Sequence, residues 1–191
     1  AILEQRGLPV RFLDARDVVK TNNHFGKAEV RFEETNALIQ AYFAAHPNEI
    51  ALITGFIGSN DAGETTTLGR GGSDYTASIF GAALAVQEIE IWTDVDGMMT
   101  ADPRKVAAAF TIPSISYAEA MELTHFGAKV IYPPSLQPAF AKNIPIRVLN
   151  TFNQAFEGTV VSRVSSPSPY IITGISSIDE LALVNVQGSG M

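Results

Sequence analysis

The 191-residue chain has no cysteine, which excludes disulfides and thiolate metal sites alike. Its three histidines, His24, His46 and His125, stand too far apart for a metal-ligand spacing. Lysine and arginine total 13 against 20 aspartates and glutamates, giving a formal charge of −7. No basic run offsets that balance, so non-specific nucleic-acid binding is not expected. No apolar stretch approaches the ~20 residues of a membrane span, because charged or glycine positions interrupt each one. The lack of cysteine makes the cytoplasm the expected compartment. No signal-peptide pattern is visible, although a truncated chain can have lost one.

What remains is an ordinary globular composition, 46% apolar and 17% charged, long enough for one core and part of a second domain. The ends read as cut. Ile2 to Gly7 looks like the close of a helix with its glycine cap, and Gly188-Ser189-Gly190-Met191 stops abruptly after a strand-like run. A piece of a longer polypeptide is the expectation.

Short strands are expected at Val10–Leu13 and 28–32, then a helix carrying Leu38, Ile39, Tyr42 and Phe43 that must end before Pro47. Ile50 to Thr54 is continuously apolar, the pattern of a strand covered on both faces. A polar loop follows up to Gly72. The spacing of Tyr75, Ile79, Ala82, Ala83 and Val86 predicts a helix packed closely on a sheet, and Glu88 to Trp92 the next strand, with Trp92 in the core or a pocket wall. Ser116-Tyr117-Ala118-Glu119 has the spacing of a capping box that opens a helix closed by Gly127. A further helix starts at Pro134, and Ile144 to Leu149 is a buried strand. Alternation of apolar strands and helices implies a largely parallel sheet between helical layers, with ligands beyond the carboxyl ends of its strands. Arg163 to Pro169 reads as a linker, followed by two strands, Tyr170–Ile175 and Leu181–Val186.

Three segments carry candidate chemistry. In Thr65-Thr66-Thr67-Leu68-Gly69-Arg70-Gly71-Gly72-Ser73-Asp74, glycines before a helix start bring backbone N–H groups near an anion, and Arg70 can clamp a carboxylate or phosphate with two parallel hydrogen bonds. A structural turn explains the glycines equally well, Ser73 can be a plain N-cap, and Asp74 suits a helix's first turn with no catalytic role. Trp92-Thr93-Asp94-Val95-Asp96-Gly97, continued by Thr100-Ala101-Asp102-Pro103-Arg104, joins hydroxyl, carboxylate and guanidinium groups in a loop longer than such connections need; its turn residues also fit a plain loop. In Phe126-Gly127-Ala128-Lys129-Val130, the lysine either serves a charged ligand or complements the negative end of a helix.

Together these segments, in this order and spacing, resemble the aspartate kinases. The likeness runs from about Val10 to Ser162 and implies the amino-acid kinase fold, an α/β three-layer αβα sandwich. Residues 1–162 would be the carboxyl-terminal part of that catalytic domain, 163–169 a linker, and 170–191 the start of an α+β ACT regulatory domain, Ile172-Thr173-Gly174-Ile175-Ser176-Ser177 matching its first strand. The closing residues are most similar to forms fused to homoserine dehydrogenase.

The resemblance implies ATP-dependent phosphorylation of the β-carboxylate of L-aspartate, the first step of lysine, threonine and methionine biosynthesis, with Mg2+ on the phosphates. It puts Arg70 and Asp74 at the aspartate and phosphoryl-transfer site, and Thr93, Asp94, Arg104, Lys129 and Val130 at nucleotide positions. Met99 stands where many members have tyrosine and can still pack on adenine. A carboxylate nucleophile, with an ordinary pKa near 4, is already ionised, so Asp74 has no base to be and serves to orient cationic groups. The Lys-Phe-Gly-Gly segment that opens the family's domain is absent, so the fragment alone is expected to be inactive. L-aspartate and ATP are the implied partners, without nucleic acid or membrane, and ACT domains imply a homodimer or higher homo-oligomer. Rival readings are another acid kinase of the fold, acting on acetylglutamate, and a non-catalytic nucleotide-binding or regulatory piece.

Overall fold

The computed structural model describes residues 2–125, 131–167, 170–179 and 182. A short helix α1 (Ile2–Gln5) ends at Gly7, whose φ of +75° is that of a glycine cap. Strand β1 (Val10–Leu13) pairs in parallel with β2 (Ile50–Ile53), Val10 opposite Ile50 and Leu13 opposite Ile53. Between them lie α2 (Ala15–Val18), capped by the Asp14 side chain on the Arg16 N–H, and α3 (Phe32–Ala45), which closes at His46 just before Pro47. Next come an antiparallel hairpin of β3 (Ile57–Ser59) and β4 (Thr65–Thr67), then α4 (Gly72–Leu84) and β5 (Ile89–Thr93). The rest comprises β6 (Ser114–Ser116), α5 (Tyr117–His125), a 3-10 turn (Pro133–Leu136), α6 (Gln137–Ala141), β7 (Ile146–Asn150) and β8 (Thr159–Ser162).

The larger sheet has four strands in the order β5-β7-β8-β6. Its pairs β5–β7 and β6–β8 are parallel, as the apolar runs suggest, but β7 and β8 are antiparallel. The sheet is therefore mixed rather than largely parallel, because β8 returns directly from β7 through the turn ending at Gly158 instead of crossing over through a helix.

Two apolar clusters flank α4. One gathers Ile91, Met98, Ile115, Ile146, Val148 and Val161 under the four-stranded sheet, with Ala77 packed against it. The other holds Leu13, Val19, Ile39, Ile79 and Phe80. Helix α4 thus faces both cores, and its amino-terminal end is fixed from two sides.

Several expectations change. Ile50 and Leu52 are 47% and 54% exposed, with Phe12 at 63%, so β2 is not covered on both faces; among the described strands it pairs with β1 alone. The loop before Gly72 contains the β3–β4 hairpin, held by β-branched Thr65-Thr66-Thr67 and a turn in which Asn60 Oδ1 accepts from the Ala62 and Glu64 N–H groups. In place of a strand over 28–32, Val30 makes a single bridge to Thr21 and Phe32 already opens α3. Trp92 lies on the outward face of β5, 46% exposed, donating to Glu90 Oε2 at 2.9 Å. Among the described residues Tyr170–Ile175 forms no strand, while Gly127 and most of Leu181–Val186 lie outside the described residues.

The capping box forms as expected: Glu119 Oε2 accepts from the Ser116 N–H at 2.9 Å and from its hydroxyl at 2.6 Å. No helix among the described residues is long and apolar enough to cross a membrane.

Candidate functional site

The site grows from the start of α4. Gly71 is the N-cap, in the left-handed region at φ +69°, where a side chain would be strained. A Cβ there would also lie 2.8 Å from the Tyr132 Cβ, and one on Gly72 2.5 Å from the Phe56 ring. The glycines are thus required by the turn and its packing, as the structural reading had it, and Ser73 lies inside the helix rather than capping it. What the turn achieves is to push Arg70 outward.

Arg70 is exposed, and its guanidinium carbon sits 5.3 Å from the centre of the Tyr132 ring. No carboxylate among the described residues pairs with it. It lines a cleft of about 580 Å3 with His24, Lys27, Glu29, Tyr75 and Ser135 among the other walls. The wall from His24 to Glu29 is organised by Asn22. Its Oδ1 accepts from the His24 and Glu29 N–H groups, each at 3.1 Å, and its Nδ2 donates to Glu29 Oε2 at 3.0 Å. Three cationic or titratable nitrogen groups and one carboxylate therefore share the opening.

Asp74, on the first turn of α4, is half-buried, its side chain makes no hydrogen bond or ion pair among the described residues, and it is not a wall of the Arg70 cleft. Burial pushes its carboxyl above the usual aspartate value.

It also has a stability consequence. The folded chain holds the Asp74 proton more tightly than the unfolded chain, where it titrates near 3.8. Stability consequently falls as pH rises from that value through the higher folded one, and the deficit is complete at neutral pH. Asp74→Asn removes the cost, so its melting temperature should exceed that of the wild type at pH 7, with the margin closing as pH drops below 3.8. A variant melting at or below the wild type at pH 7 would count against an unpaired Asp74.

The second loop leaves β5 at Thr93. The Thr93 hydroxyl donates to Asp94 Oδ1 at 3.2 Å, with Asp94 exposed. Asp96 is structural, accepting from the Asn150 and Asn153 side chains at 2.8 and 2.9 Å. Met99 is half-buried and bridged to Thr111. Arg104 folds back on Asp102, Nη2 to Oδ2 at 2.7 Å, with its side chain 86% exposed. Hydrogen bonds from Arg104 pull the Asp102 carboxyl down to about 2. Thr93, Asp94, Met99 and Arg104 are absent from the walls of the Arg70 cleft. Lys129 and Val130 lie outside the described residues.

Reading the sequence missed the cleft walls His24, Lys27, Glu29, Tyr132 and Ser135. The only local signal was Asn22, a residue suited to binding the backbone two positions on. It also missed the segment 170–179 laid on the second loop: Ile175 N–H donates to the Thr100 carbonyl at 2.8 Å, and Lys105 Nζ reaches Asp179 Oδ2 at 2.6 Å.

Comparison with known proteins gives the amino acid kinase family model over residues 1–150. The bifunctional aspartokinase/homoserine dehydrogenase 2, chloroplastic, of Arabidopsis thaliana is 38% identical over 200 aligned residues, covering 100% of this chain and 21% of that protein. The lysine-sensitive aspartokinase 3 of Escherichia coli (strain K12) is 43% identical over 169 residues, 88% of this chain and 38% of that one. The crystal structure of E. coli aspartokinase III in complex with aspartate and ADP superimposes with a TM-score of 0.81 at 41% identity, covering 86% of this chain and 37% of the other. The chain thus spans about a fifth to two-fifths of these relatives. With the family model matched over residues 1–150, mixed sheet and helices in the arrangement of the aspartokinases, and the Arg70 turn opening a cleft at the head of α4, the chain belongs to the amino acid kinase family.

Proposed function

We propose that this chain is the carboxyl-terminal part of an aspartate kinase catalytic domain and binds L-aspartate in the Arg70 cleft. The observation that carries the reading is the charge pattern of that cleft: Arg70, Lys27 and His24 against Glu29. L-Aspartate presents two carboxylates and one ammonium group, the complementary set. In this reading Arg70 grips a carboxylate with both arms of its guanidinium, and Glu29, oriented by Asn22, takes the ammonium group. The likeness to an aspartokinase III that holds aspartate and ADP supports the same assignment.

In the parent enzyme, a β-carboxylate oxygen of aspartate bonds to the γ-phosphorus of ATP while the bridging P–O bond to the β-phosphate breaks, releasing ADP and 4-phospho-L-aspartate. No proton moves, so no base is required. Thr93, Asp94, Met99 and Arg104, with Lys129 and Val130, would face the nucleotide, and Asp74 would orient cations brought to the phosphoryl group. Among the described residues no cluster of three or more His, Asp or Glu side chains could hold a metal. Mg2+, expected with ATP, would supply charge neutralisation at the phosphates when bound. Residues 163–169 would be a linker and 170–191 the opening of an ACT domain, through which the parent protein would pair with itself. The 191-residue sequence contains no Lys-Phe-Gly-Gly segment, and we expect no turnover from it alone.

Calorimetric titration of the chain with L-aspartate and with N-acetyl-L-glutamate, alongside a coupled ADP-release assay, tests this. Aspartate should bind, acetylglutamate should not, and no ADP should be released. Acetylglutamate binding without aspartate binding would overturn the substrate assignment, and robust turnover would overturn the claim of inactivity.

A further inference from the structure

Arg70 is held in an unusual way for a cation that must grip an anion. No carboxylate among the described residues is in ion-pair reach, although most of the arginines of the fold are so paired: Arg11 to Glu49, Arg16 to Asp14, Arg31 to Asp61, Arg104 to Asp102 and Arg147 to Glu88. What lies against Arg70 instead is the ring of Tyr132, 5.3 Å from the guanidinium carbon. We propose that Tyr132 is a positioning residue: its ring face fixes the direction of the Arg70 guanidinium while leaving the N–H donors unspent for a substrate carboxylate. This rests on the reading of the cleft as an aspartate site.

The physical argument is one of alternatives. A carboxylate neighbour would orient Arg70 as well, but it would occupy the bidentate edge and cancel the charge that a substrate must meet. Solvent alone would leave a long side chain its full rotamer freedom, which binding must then remove. An aromatic face attracts the guanidinium through its quadrupole, above and below the ring plane, and uses none of its hydrogen bonds. Tyr132 is itself anchored. Its Cβ lies against Gly71, where any side chain would come within 2.8 Å, and its carbonyl accepts from both the Ser135 N–H at 2.9 Å and the Ser135 hydroxyl. The ring and the arginine are thus mounted on two packed elements, Arg70 beside the cap of α4 and Tyr132 at the start of the 3-10 turn, so their spacing is set by backbone packing.

The test uses the 191-residue chain, its Tyr132→Phe and its Tyr132→Leu variants, with melting curves to verify folding. In the ligand-free protein, NMR should show the Arg70 side-chain protons displaced upfield by the ring current in wild type and Phe variant, but not in the Leu variant. Calorimetry should then show L-aspartate binding weakened roughly 3- to 30-fold in Tyr132→Leu and nearly unchanged in Tyr132→Phe. ADP binding should not change in either. A wild-type spectrum without the ring-current displacement overturns the proposal. So does equal aspartate affinity in the Leu variant, or an equal loss in the Phe variant, which would assign the effect to the hydroxyl. If the displacement is present but no form binds aspartate, the substrate reading of the cleft fails and the role given to Tyr132 falls with it, whereas a failure of Tyr132 alone leaves wild-type binding intact.

Discussion

Gly158→Ala should be the most destabilising single substitution of a turn glycine in this chain, because Gly158 is buried, and it should lower the melting temperature by roughly 6–12 °C. Gly158 precedes β8 at φ +69°, and a Cβ there would fall 1.9 Å from the Val148 carbonyl oxygen. That oxygen belongs to the backbone of β7, a central strand, and cannot rotate aside. The next residue, Thr159, is fully buried and its Oγ1 accepts from the Met98 N–H at 2.8 Å. Moving Gly158 therefore disturbs the β7–β8 ladder and the second candidate loop together. Left-handed strain in an L-residue costs about 1–2 kcal/mol, and displacement of packed backbone brings the total to about 3 kcal/mol or more. Gly63→Ala supplies the control: it has φ +75° with nothing within 4 Å of its Cβ. Its loss should be about 1 kcal/mol, the strain alone. Equal melting temperatures for the two variants would remove the steric argument.

The Gly158 case shows which kind of information a sequence exposes. Features closed within one turn of chain were legible. The Ser116–Glu119 capping box, the proline stop after α3 and the helical spacing of α4 each depend on residues a few positions apart, and each appears where expected. Features created by tertiary pairing were not. Nothing local marks Thr65-Thr66-Thr67 as a strand, because threonine suits both a polar loop and a hairpin; the partner Ile57–Ser59 decides it. The run Ile50–Ile53 is apolar enough for two covered faces, yet Ile50 and Leu52 are exposed, so hydrophobicity reported what the strand suits rather than what covers it.

The same divide runs through the site. Arg70 and Asp74 stood out as candidates because glycines and a helix start surround them, and Asp74 is half-buried. The residues packed around Arg70 were hidden. Tyr132 meets it through a fold contact distant in sequence, and Glu29 acquires a fixed direction only through Asn22. Arg104, by contrast, is paired locally with Asp102, and its side chain is exposed.

The largest functional effect belongs to Arg70. Arg70→Ala should weaken L-aspartate binding by about 100-fold or more, because a bidentate grip supplies two charge-assisted hydrogen bonds of about 1.5–3 kcal/mol each. Arg70→Lys keeps the charge but loses the planar fork, and it should also lose the flat face that rests on Tyr132. Its affinity should fall by about tenfold, between wild type and Ala. Stability gives an internal control, since the side chain is exposed and has no ion pair among the described residues, so both variants should melt within about 2 °C of wild type. ADP affinity should be unaffected by either change, because the walls of the Arg70 cleft do not include Thr93, Asp94, Met99 or Arg104. Calorimetric titrations of both ligands against the three proteins give a two-by-three comparison. Aspartate binding that survives Arg70→Ala would detach the amino acid from this cleft altogether. Lysine performing as well as arginine would leave the charge but dismiss the fork, and with it the reason for a ring beneath the guanidinium.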